Sequence, residues 1–355
     1  MTAVLADTTG IPTGPAPVTP AAVRTRTRRR RARVLALLGL AVVGLFAVNV
    51  LLGRYPVTIP DFVRILAGEQ IPGASFIVLE NKLPRAVVAT GVGVGFGVAG
   101  AVFQTLLRNP LASPDVIGVT SGASAAAVFA LVVLGGAGAA VPLAALAGAG
   151  LTAVVIQLLA AGGGATGQRL VLIGIGLAAV LNAVTSYLLT RSDLRTAADA
   201  LVWLTGSLNH ASWERVGWTA AAAVVLLPAA AALSRGLRGL ELGDDVAAAT
   251  GVPVRRVRFA LLAVAVALAA VATAAAGPVS FIAFLAGPIA RRLLGGATSL
   301  AAAALVGALI VLGAEFVAAN ALADTALPVG VVTGALGAPF LLYLLVAANR
   351  GGRGG

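Results

Sequence analysis

About ten apolar runs of roughly twenty residues, each closed by a short polar interruption, order this chain. In a bilayer every backbone N–H and C=O must find a partner within the protein, which leaves helices or closed barrels. Runs of this length predict helices. The spans expected are Val34–Leu52, Pro84–Leu107, Val116–Leu134, Val141–Ala161, Leu170–Thr190, Glu214–Leu233, Phe259–Ala276, Pro278–Leu294, Leu300–Asn320 and Val329–Ala347. Composition agrees: 59% of the residues are hydrophobic and 11% charged, where a soluble domain carries about a quarter charged. The fold class expected is an all-α integral membrane bundle of about ten helices, residues 34–347, and an even number of crossings puts both termini on one side.

The second and third runs meet at a polar elbow. Between two apolar halves stand Arg108, Asn109, Pro110, Ser113, Pro114 and Asp115. Proline removes a backbone donor and restricts the residue before it, so a rigid turn is expected here. Small residues crowd both sides, at Gly91, Gly93, Gly95, Gly97 and Gly100, then at Gly118, Gly122, Ala123, Ser124 and Ala125. At three- or four-residue spacing they allow membrane helices to approach closely; a subset could instead line a pathway for a bulky solute.

The net charge of +12 comes from 25 basic and 13 acidic residues, gathered between the apolar runs. That distribution is a topology signal rather than a nucleic-acid recognition face. Residues 1–33, with Arg24, Arg26, Arg28, Arg29, Arg30, Arg31 and Arg33, read as a disordered basic tail; residues 348–355 form a second short one. With the N-terminus inside, about eighteen basic residues face the cytoplasm and about seven the outside, and the reverse orientation inverts the ratio. The expectation is a multi-pass protein of a bacterial cell membrane with both termini cytoplasmic.

Few residues could carry covalent chemistry. The chain has no cysteine and one histidine, His210, and no HExxH, phosphate-binding loop or partner for a serine nucleophile. No catalytic residue, cofactor or metal site is expected, so ATP-driven work would need hydrolysis on another chain. Ser234–Arg258 is the one sizeable internal polar stretch where such a chain could dock. Within it Gly243, Asp244 and Asp245 open a short helix, with the acids at its favourable end. Gly251 can end that helix and Pro253 begins a new segment; a solvated loop held by ion pairs is the other reading. Gln104 is either a hydrogen-bonding link between helices or a pore-lining group. Glu315, the acid deepest in a span, is either a structural partner or a proton relay.

Gly100, Gln104 and RNPLASPDVIGVTSGA (Arg108–Ala123) strongly resemble the FecCD family of permeases, the membrane subunits of ATP-binding-cassette importers for ferric siderophores, haem and cobalamin. KLPR (Lys82–Arg85), WLTGSL (Trp203–Leu208), LGDDVAAATGV (Leu242–Val252), GPVSFIAFLAGPIAR (Gly277–Arg291) and LPVGVVTGALGAPFLLYLL (Leu327–Leu345) extend the match from about Val34 to Ala347. The resemblance implies a type II importer permease with ten helices, working as a dimer with a second copy or a paralogue, and with two ATPase subunits. An extracytoplasmic solute-binding protein would deliver a ferric siderophore, with cobalamin or haem as the alternative cargo.

It also implies roles. Leu242, Gly243, Asp244, Asp245, Thr250, Gly251 and Val252 would form the segment that couples to the ATPase. Lys82 and Arg85 would meet the binding protein. Thr166 and Gln168 fall near the family's cytoplasmic gate, with Gln104 a further pathway candidate. Arg108, Asn109, Pro110, Pro114, Gly118 and Gly122 carry the family signature. Three positions depart from the pattern: Lys82 replaces an arginine, Ala319 stands where an arginine is common, and Gly287-Pro288 replaces Pro-His.

Overall fold

A computed structural model describes residues 20–161, 167–322 and 326–351, all of them helix or connecting turn. In chain order the helices are α1 (Pro20–Leu51), α2 (Ile59–Leu66), α3 (Ala74–Phe76) and, after a π-helical turn at Ile77–Lys82, α4 (Leu83–Leu106). Then come α5 (Val119–Val132), α6 (Ala140–Ala161), α7 (Gly167–Arg191), α8 (Leu194–Leu204), α9 (Trp213–Glu241) and α10 (Asp244–Ala249). The chain continues with α11 (Val254–Ala276), α12 (Ile282–Leu293), α13 (Leu300–Asn320) and α14 (Val329–Gly351).

Seven of these, counting α3 to α4 as one, are long and apolar enough to cross a membrane. The shorter apolar helix α5 and the apolar part of α14, Val329–Leu342, occupy two of the other expected crossings, and the twelve-residue α12 lies at the third. The core is built around α4, which packs against α9, α11, α12 and α13 and is buried along most of its length. Small residues make this possible. A side chain at Gly93 or Gly307 would run into the other's helix backbone, so α4 and α13 touch main chain to main chain. Gly122 is held in the same way against Gly148 and Thr152, where α5 meets α6.

Several expected boundaries move. Residues 20–33, expected as disordered tail, are already helical, because nothing between Ala21 and Leu51 breaks the helix and arginine is a good helix former. Residues 1–19 lie outside the described residues. At the other terminus α14 runs to Gly351, past the expected boundary at 347. The polar stretch expected at Ser234–Arg258 shrinks from both sides: Leu237 and Leu240 bury one face of a continued α9, and α11 opens at Val254. What remains of it is Leu242–Pro253 around α10. The region before Lys82, expected outside the membrane, contains the two-faced helix α2 and a helical lead into α4.

Candidate functional site

The elbow is the element that joins the two ends of the site. Asn109 Oδ1 accepts the Leu111 N–H at 2.8 Å, a local turn that with Pro110 ends α4. Arg108 sits in the left-handed region at φ 48°, unusual for a residue with a side chain. Its Nη2 donates to the Leu240 carbonyl and to Asp244 Oδ1, each at 3.3 Å. Asp244 also accepts two bonds from Arg258 Nη2, at 2.7 and 2.8 Å. The first residue of α10 is therefore clamped to both the elbow and α11. The bonds from Arg258 first, and the nearby charges of Arg258 and Arg108, hold the Asp244 carboxyl below its ordinary range.

Around this clamp the segment presents an apolar outer surface. Ala247 is fully buried and anchors α10, while Leu242 and Val246 stand exposed with Asp245, Ala249 and Thr250. Gly243 precedes the helix at φ 118°, and Gly251 turns the chain after it at φ 81°, where a side chain would be strained. The Gly251 N–H donates to the Ala248 carbonyl at 2.9 Å and the Val252 N–H to the Ala247 carbonyl at 3.0 Å, and the Thr250 hydroxyl donates to the same Ala247 carbonyl at 2.8 Å.

The other end of the elbow climbs into the bundle. Pro114 accepts the Val119 N–H at 3.3 Å, and Gly118, at φ 89°, lies against Gly174 and Ala178 of α7. With fourteen residues, α5 spans about 21 Å, short of the roughly 30 Å hydrocarbon core. The elbow covers the missing length. It sets Asp115 beside a cavity of about 420 Å³. Thr120, Ser121 and Ser124 of α5, Asn182, Thr185 and Ser186 of α7, and Ser280 complete its polar wall. The Asp115 carboxylate accepts the Thr120 hydroxyl. Asn182 stands about 13 Å from the Arg191 end of its helix, so this polar wall lies at membrane depth. The cavity was not expected from the sequence. The spacing of Asn182, Thr185 and Ser186 along one face of an apolar helix is the signal that could have shown it.

The remaining expected site residues separate. Gln104 is 2% exposed and links α4 to α12: its Nε2 donates to the Phe284 carbonyl at 3.0 Å and its Oε1 accepts Arg291 Nη2 at 3.1 Å. These bonds tie two helices together, as the structural alternative for Gln104 expects. Lys82 Nζ holds the Leu52 and Tyr55 carbonyls at 2.8 and 2.7 Å. Arg85 turns inward, pairing with Glu315 and donating to Asn209 Oδ1 at 2.6 Å. Both cations are thus engaged within the chain. Glu315, with a side chain 3% exposed, is the countercharge of Arg85. Thr166 lies outside the described residues, and Gln168 lies in the first turn of α7.

Residues 40–347 match the model of the FecCD transport family. The chain belongs to the FecCD transport family. Among this FecCD chain's relatives, the ferric enterobactin transport system permease protein of Escherichia coli is 44% identical over 80% of this chain and 87% of its own. The achromobactin transport system permease protein of Dickeya dadantii is 40% identical over 81% and 83%. A cobalamin import system permease protein of Halobacterium salinarum is 34% identical over 77% and 74%. Among solved structures, a metal-chelate type ABC transporter in an inward-facing conformation superposes with a TM-score of 0.79 at 26% identity, covering 89% of this chain and 99% of that one. The family and these relatives make this FecCD chain a multi-pass membrane permease subunit that hydrolyses no ATP itself.

Proposed function

We propose that this chain is the permease of an ATP-driven importer of ferric siderophores in the cell membrane, with both termini cytoplasmic. The observation that carries the reading is the continuous connection from the exposed surface of α10, through the Asp244–Arg108 clamp and the elbow, to the polar cavity at Asp115. An ATPase seated on Leu242, Val246 and Thr250 would move α10. The clamp would carry that motion to the elbow, and the elbow would displace the wall it shares with α7. The exposed residues of α7 near this cavity, Val180, Val184 and Tyr187, are the surface on which a second permease copy would close the pathway. Two ATPase subunits would serve the pair.

The solute-binding protein would dock at the opposite end, around Lys82 and Arg85. A carboxylate arriving there would compete with the Leu52 and Tyr55 carbonyls and with Glu315. The assignment of cargo is supported by the ferric enterobactin and achromobactin relatives, with the cobalamin relative marking the alternative. Uptake into proteoliposomes holding permease, ATPase and binding protein tests it, using radiolabelled ferric enterobactin, a ferric hydroxamate and cobalamin in parallel. ATP-dependent accumulation of a ferric chelate and not of cobalamin is expected. Accumulation of cobalamin alone would overturn the cargo assignment, and accumulation without ATP would overturn the mechanism.

A further inference from the structure

The N-terminal end of α1 carries a basic surface that the transport cycle leaves unused. The helix continues without a break from the span into the arginine cluster, so its two faces can be followed across the membrane boundary. On one face Val34, Leu35 and Leu38 pack against the cluster of Ala290, Leu294 and Ala302. In the same region Arg31 Nη2 donates to the Thr298 carbonyl at 3.1 Å, and Arg30 Nη2 to the Leu293 carbonyl at 3.4 Å. On the opposite face Leu37, Leu40 and Val43 are 66%, 69% and 65% exposed. In an apolar helix at the edge of a membrane bundle, that stripe faces lipid. Arg33 lies one turn before Leu37 and Arg29 one turn before Arg33, so both continue the lipid stripe. Both are exposed, and neither makes a hydrogen bond or ion pair among the described residues. Glu241, an acid at this end of the bundle, accepts the Thr298 hydroxyl.

We infer that Arg29 and Arg33 form a binding site for the phosphate headgroup of an anionic phospholipid. Depth fits. The polar region of a leaflet extends about 6 Å beyond the hydrocarbon. Arg33 lies about 6 Å along the axis from Leu37, at headgroup level, with Arg29 one turn farther out to close on the phosphate from the aqueous side. Chemistry fits as well. Two guanidinium groups at i, i+4 repel each other on a bare helix, and a phosphate between them converts the repulsion into charge-assisted bonds. Arginine presents its donors as a fork that matches phosphate. The acyl chains of the same lipid would lie on Leu37, Leu40 and Val43. The face that holds Arg31 to the α12–α13 connection fixes the helix rotation, so the pair is aimed at lipid rather than left to swing.

This inference rests on the chain being a membrane permease but not on which way it is inserted, and detergent solution separates the two. The delipidated full-length chain is titrated with phosphatidylglycerol or phosphatidylcholine, and bound lipid is counted by native mass spectrometry. Wild type is expected to hold phosphatidylglycerol at least tenfold more tightly. R29Q with R33Q should weaken phosphatidylglycerol about thirtyfold, at about fivefold per arginine, and phosphatidylcholine, whose choline already offsets its phosphate, far less. R29K with R33K should keep most of the affinity. If the double glutamine variant does not fold, R29Q and R33Q singly carry the test at about fivefold each.

Excess inorganic phosphate should displace the lipid only in part, because it has no acyl chains. Equal affinity for the two lipids, or unchanged affinity in the glutamine variants, would overturn the site. Complete displacement by inorganic phosphate would overturn the lipid as its occupant. Release of the ATPase from the variants with lipid affinity intact would assign the surface to a protein partner and overturn the inference. Sidedness is read separately: the chain has no native cysteine, so thiol labelling of Ala32→Cys in oriented vesicles reports it alone.

Discussion

Single residues decide which polar groups in the membrane are structural. Glu315 and Arg85 are each other's countercharge, and removing one partner of a buried pair costs about 3–5 kcal/mol. Glu315→Gln is therefore expected to lower the thermal midpoint in detergent sharply, while the joint replacement Arg85→Met with Glu315→Met recovers much of the loss. Unchanged stability of Glu315→Gln, with transport abolished, would favour a proton relay instead. Asp244 is a different case, outside the spans and half exposed. Its folded pKa is depressed below the ordinary 3.8, so its contribution is fully present above that value and fades as pH falls through the lower folded value. Thermal stability of wild type and Asp244→Asn should thus differ by a constant margin from pH 5 to 8 and converge below about pH 4. A margin that changes near neutral pH would contradict the clamp. These pairings were not legible in the sequence. Spacing shows that a carboxylate lies in a span, but its partner comes from a helix 230 positions away.

At the scale of elements, the apolar runs located α4, α6, α7, α11 and α13 to within a few residues, because length and hydropathy alone demand them. Elements whose ends rest on tertiary packing escaped. α9 runs on to Glu241 because Leu237 and Leu240 find a buried surface, and α5 is short because the elbow replaces its missing turns. The signature Arg108–Ala123 marked the elbow but not its depth, which depends on Gly118 meeting α7. Gly93→Val should separate α4 from α13 and prevent stable folding, read as loss of a monodisperse peak in size exclusion; Gly39→Val, in open space on α1, should be tolerated. At the turn after α10, Gly251→Ala is expected to cost about 1 kcal/mol through its positive φ. Gly251→Pro should also remove the bond to Ala248 and lower ATP-dependent uptake well beyond what its stability loss accounts for. Wild-type uptake by Gly251→Pro would show that the turn carries no motion.

As a whole molecule, the proposed permease would be a passive transmission between an ATPase and a pathway completed by a second copy. Leu242–Val252 at one end, the Lys82 and Arg85 contacts at the other, and the polar wall between them are joined through α4, α11 and α5. Entry of motion through the exposed surface of α10 can be read from ATP-dependent uptake of a radiolabelled ferric siderophore in proteoliposomes. Leu242→Asp with Val246→Asp places charge on that surface without touching the core. Uptake is predicted to fall at least tenfold while the thermal midpoint of the permease stays at the wild-type value. Uptake at the wild-type rate, or uptake driven by a proton gradient without ATP, would contradict the account.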